Sequence, residues 1–133
     1  MIARTIVIAG GVFSAVAVML GAFGAHGLKN KISSEQLQVF ETGVRYQMYH
    51  AFALILLGLL ADRFPHPLLR TAGYFMMIGI LLFSGSIYLL ATRELMGIDS
   101  WKSFLGPITP IGGLCLILGW ICMSWGVYRS NIL

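Results

Sequence analysis

The side chains able to do chemistry gather in one run, Glu41-Thr42-Gly43-Val44-Arg45-Tyr46-Gln47-Met48-Tyr49-His50. It carries an acid, a base, an amide, two phenols and an imidazole. It stands at the mouth of an apolar stretch over 51–61. Ionisable groups at a membrane boundary need partners, and each is by default a candidate for function. On a helix, Glu41 and Arg45 share a face with the acid on the N-terminal side, the better order for a pair. Gly43, Tyr46, Gln47 and His50 form a second face. Arg45 and His50 stand about 140° apart on an ideal helix, so they need not act together. Two readings follow. In the plainer one, Glu41 and Arg45 pair and the rest are hydrogen-bonding boundary residues. In the sharper one, Tyr46, Gln47 and His50 line a polar pocket with His26 from an earlier helix, and that pocket takes a lipid head group, a quinone or a proton. Two histidines of unknown facing do not define a haem or metal site, so neither a metal nor a cofactor is expected.

His26 lies in Gly24-Ala25-His26-Gly27, where two glycines allow a helix to end or unwind. A second wall of the pocket is expected from Gly106-Pro107-Ile108-Thr109-Pro110-Ile111-Gly112-Gly113, with two prolines and three glycines in eight residues. Backbone freed there must be satisfied by neighbouring protein or by a wet cavity. The plainer reading is a proline-started helix with packing glycines. The candidate binding cluster is therefore His26, Glu41, Arg45, Tyr46, Gln47, His50 and Thr109. No catalytic residue is assigned. A nucleophile paired with a base, a P-loop, a dinucleotide fingerprint and a zinc-protease motif are all missing from the sequence. Cys115 and Cys122, seven apart on one helix face, read as small packing residues.

The elements that must position these residues are legible from composition. Of 133 residues, 58% are hydrophobic and 11% charged, against about 25% charged in soluble domains. This describes an all-α polytopic membrane protein in a single integral-membrane domain over 1–133. Four transmembrane helices are expected in a bundle, at about 5–28, 43–61, 69–92 and 107–127. The first follows Arg4 and reads as a retained helix, too long for the apolar core of a signal peptide. Its Gly10, Ser14, Ala17, Gly21 and Ala25 make a small-residue stripe for close helix packing. Between the first and second spans, about 33–43 reads as a short amphipathic helix lying on the membrane surface, opened by a Ser33/Gln36 capping box. Prolines flank His66 and force a turn in the aqueous phase. Trp101 reads as an interfacial anchor. The net charge of +4 comes from scattered basic residues that suit anionic lipid, with no patch for nucleic acid.

Gly21-Ala22-Phe23-Gly24-Ala25-His26-Gly27-Leu28, the run from Thr42 to Ala51, and Thr109-Pro110-Ile111-Gly112-Gly113 resemble the domain-of-unknown-function 423 family. These are small bacterial inner-membrane proteins with similar proteins in animals. The resemblance spans nearly the whole chain and implies a helical membrane protein of about four spans. It implies no reaction. Three function classes remain: a structural or accessory protein that meets lipids or protein partners; a binder or carrier of a small amphiphile, quinone or proton; and a membrane enzyme with a histidine base, which has the least support. The expected partners are membrane lipids and a second copy or another membrane protein, with no nucleic acid. The expected location is the bacterial inner membrane with cytoplasmic termini. Basic residues divide four to five between the two sides: Arg4, Arg63, Arg70 and Arg129 against Lys29, Lys31, Arg45, Arg93 and Lys102.

Overall fold

A computed structural model describes residues 2–130 and gives four long helices: α1 (Ile2–Phe23), α2 (Ser34–Arg63), α3 (Pro67–Thr92) and α4 (Lys102–Arg129). All four are long and apolar enough to cross a membrane. Where two glycines flank Ala25-His26, α1 does not stop. It widens into a π-helical turn over Gly24–Leu28. The ring of Phe40 lies against Gly24, where a Cβ would stand 3.0 Å from Cδ1.

The Ser33 capping box forms as its spacing predicts. The Gln36 N–H donates to Ser33 Oγ at 3.2 Å and the Ser33 N–H donates to Gln36 Oε1 at 3.1 Å. What it opens is different from expectation. Residues 33–43 do not form a separate surface helix; Ser33 is the N-cap and 34–43 are the first third of α2, which runs unbroken for 30 residues. The reason is packing. Gly43 is the weak point of the segment, and it is buried against α3, where a Cβ would fall 2.8 Å from Tyr88 and 2.9 Å from Ile87. Phe40 is buried with Leu28 and Ala91 in a small core of its own. Tertiary contact thus fixes as one rod what the polar sequence suggested was two pieces. That rod is about 45 Å long, well beyond a hydrocarbon thickness of about 30 Å.

His66 caps α3 by accepting the Leu68 N–H at its Nδ1 (3.2 Å), and Pro67 takes the first helical position. After α3, Arg93 ties the connection together through Asp99 (2.8 Å), Glu94 (3.2 Å) and the Leu90 carbonyl (2.8 Å). Gly97 turns the chain there with φ +70. The fourth helix then begins at Lys102, ahead of the expected 107, and carries Pro107 and Pro110 inside it.

Helices pack chiefly on their sequence neighbours, α1 on α2, α2 on α3 and α3 on α4. Burial separates inner from outer helices. In their most apolar windows α2 and α3 are 39% and 44% buried, whereas α1 and α4 are 17% and 22% buried. The main core joins Ile6, Leu54, Leu57, Leu69, Ala72, Met76, Ile80 and Leu116. Close approach comes from small residues on both flanks. On α1, Gly10 meets the Ala51 carbonyl and Ile55, and Ala17 is fully buried. On α4, Leu105, Gly112, Gly119 and Gly126 recur every seven residues and all are buried. The three glycines lie against Phe83, Met76 and Leu69 of α3.

Candidate functional site

Because α2 starts at Ser34, the polar run does not sit at its mouth. Gln47 lies 13 residues in, roughly 20 Å along the axis. Its side chain reaches the carbonyl of Phe13, the midpoint of α1. Gln47, and His50 one turn on, are therefore at the waist of the bundle.

Gln47 is 3% exposed and joins three helices. Its Nε2 donates to the Phe13 carbonyl on α1 at 2.9 Å, and its Oε1 accepts the Tyr88 hydroxyl from α3 at 2.7 Å. One turn on, His50 is 6% exposed and joins α2 to α4. Its Nδ1 lies 2.7 Å from the Tyr46 carbonyl and its Nε2 accepts the Trp120 indole N–H at 3.1 Å. A carbonyl only accepts and an indole N–H only donates, so both bonds require the neutral ring with its proton on Nδ1. The ring is also held by aromatic contact, stacked against Tyr46 at 6.2 Å and edge-on to Trp120 at 6.0 Å.

Hydroxyls complete the set. Ser84 donates to the Gly43 carbonyl at 2.8 Å, linking α3 to α2. Ser86 donates to the Phe83 carbonyl at 3.0 Å and meets Thr109 of α4 at 2.7 Å, so Thr109 is the donor in that pair. Ser14, on the α1 stripe, stands apart: its Oγ is buried with no hydrogen-bond partner among the described residues.

The candidate cluster is thus divided among several places. Gln47 and His50 share the waist, with Tyr46 stacked on His50. Thr109 pairs with Ser86 instead. His26 is exposed on the π-turn and is not among the groups that hold His50. Glu41 and Arg45 are both exposed and do not pair; Arg45 donates to Thr42 at 3.3 Å, and the ion pairs among the described residues are those of Arg93. Arg45 turns toward the nearer hydroxyl one turn back. No group of three or more His, Cys, Asp or Glu side chains able to hold a metal occurs among the described residues.

Four partners escaped the sequence reading: Tyr88, Ser84, Ser86 and Trp120. Ser84 and Ser86 flank Gly85, and Tyr88 and Trp120 are aromatic residues within apolar helices. A signal was present, since Tyr88 stands four residues after Ser84 on one helix face, but pairing across helices needs the register that only the fold supplies.

The family model described as "Protein of unknown function (DUF423)" matches residues 20–113. Among curated relatives, the UPF0382 membrane protein YwdK of Bacillus subtilis is 45% identical over 119 residues, covering 89% of this chain and 91% of that protein. A UPF0382 membrane protein of Staphylococcus saprophyticus is 36% identical over 126 residues, covering 95% and 98%. One from Haemophilus influenzae is 40% identical over 116 residues, covering 87% of each. No solved structure matches.

Proposed function

The chain belongs to the DUF423 family of membrane proteins, whose molecular function is unassigned, and from that premise we propose that it is an accessory protein of the bacterial inner membrane that acts through its surface on lipids or neighbouring proteins. The waist residues serve as a clasp. One observation carries this reading: both nitrogens of His50 and both polar atoms of Gln47 are already bonded to other groups of the chain. In apolar surroundings such groups stay buried only when satisfied, and a satisfied base has no free lone pair with which to take a substrate proton.

The test is His50→Ala, followed by native mass spectrometry and by unfolding in the same detergent. The variant is expected to keep every small molecule that wild type retains and to lose about 1–2 kcal/mol of stability, the range for polar contacts between membrane helices. A well-folded variant that sheds a molecule bound by wild type would overturn the clasp and favour a pocket.

We place both termini in the cytoplasm. Arg4, Arg63, Arg70 and Arg129 share the termini side, and none has an acidic partner among the described residues. On the opposite side Arg45 lies well inside α2 instead of in a connection. Lys and Arg in the connections set orientation. A C-terminal reporter active only in the cytoplasm is expected to be active; activity of a reporter confined to the outer face would reverse the assignment.

A further inference from the structure

On the termini side, two open grooves share walls. One, of about 490 Å³, lies between the start of α1 and the end of α2 and is lined by Arg4, Val7, Ile8, Leu59 and Asp62 among others. The next, of about 370 Å³, shares Ala3 and Asp62 and continues past His66 to Arg70. The end of the groove system thus presents two arginines and one carboxylate. None of the three forms an ion pair among the described residues. Down the first groove the walls turn apolar through Val7, Ile8 and Leu59.

We propose that this groove binds a phospholipid whose head group joins a phosphodiester to a primary ammonium, phosphatidylethanolamine. The proposal rests on the surface-acting reading above and names its ligand. The match is one of charge, with apolar walls for the chains beyond it. Arg4 in the first groove and Arg70 in the second stand on either side of Asp62, so a phosphodiester seated beside that carboxylate meets a guanidinium fork, that of Arg4 where the chains follow Val7, Ile8 and Leu59. The ammonium, one short linker away, donates hydrogen bonds to the Asp62 carboxylate. Acyl chains continue along Val7, Ile8 and Leu59. A purely anionic lipid leaves Asp62 unmatched and repelled. A choline head group carries the same charge but has no N–H to donate.

The experiment is native mass spectrometry of the whole protein in detergent, supplied with equal amounts of phosphatidylethanolamine, phosphatidylcholine and phosphatidylglycerol. Wild type is expected to retain phosphatidylethanolamine about tenfold over phosphatidylcholine, the effect of one charge-assisted hydrogen bond. Asp62→Asn is expected to abolish that preference while holding or raising phosphatidylglycerol binding. Arg4→Gln combined with Arg70→Gln is expected to lose all of these lipids. Equal retention of the ethanolamine and choline lipids by wild type would overturn the proposal without any variant. So would an Asp62→Asn protein that keeps the preference. These outcomes leave the waist clasp standing, because that reading fails only if His50→Ala sheds a bound molecule.

Discussion

Gly112→Ala is expected to be the most damaging single methyl in the protein. A Cβ at this position falls on the backbone of Phe83 in α3, with Leu82 close behind. Backbone cannot rotate aside as a side chain can, so the two helices must part. The glycines at 119 and 126 continue the same seam, where a Cβ would stand 2.7 Å from Met76 Cγ and 3.1 Å from Leu69 Cδ2. There the neighbours are flexible side-chain atoms. The expected order of damage is therefore Gly112→Ala above Gly119→Ala above Gly126→Ala. Overpacking of this kind costs about 3 kcal/mol where the neighbour is backbone and about 1 kcal/mol where a side chain yields. In lipid the penalty is direct, since close helix association there depends on van der Waals contact. Parting α3 from α4 also draws Thr109 away from Ser86 and Trp120 away from His50. Unfolding midpoints for the three variants in one detergent check the order. A wild-type midpoint for Gly112→Ala would mean that α4 is held by something other than this seam.

The same seam shows how far the sequence could be read. Apolar runs between basic residues placed four helices, because twenty apolar residues in a row have few other fates. The Ser33/Gln36 cap was readable because it is local. The continuity of α2 was not, because the polar character of 34–45 argues for a surface helix while the burial of Phe40 and Gly43 by α3 is a long-range event. The two prolines of α4 misled in the same direction. Local rules end or delay a helix there, yet the segment packed against α3 continues through them. For the candidate residues, type was legible and partnership was not. Gln47 and His50 announced themselves as polar groups among apolar ones. Their partners, Tyr88 and Trp120, are residue types common in any membrane helix. Once α2 became a single rod, both polar groups moved from the membrane boundary to the waist. There the demand for internal partners is strictest.

Gln47 offers the sharpest test of what the waist is for. Gln47→Met keeps the length and nearly the volume of the side chain, so little of its effect comes from a cavity. It removes both bonds and leaves the Tyr88 hydroxyl, half-buried beside Phe40, without its acceptor. The expected loss is about 2 kcal/mol, the cost of a stranded donor added to a lost interhelical bond. Tyr88→Phe strands the amide oxygen of Gln47 instead and is expected to cost about 1 kcal/mol. With both changes no polar group is left stranded at that contact. The double variant is therefore expected to cost about 1 kcal/mol less than the sum of the singles. The bond to Phe13 sets a floor, because Gln47→Met loses the tie to α1 whatever residue 88 is. Chemical unfolding of the four proteins in one detergent measures the coupling. Strict additivity would mean that Gln47 and Tyr88 do not meet in the folded protein, and the amide would then be free to face a ligand. Coupling of the expected size ties α1, α2 and α3 through one side chain and leaves its amide committed within the bundle.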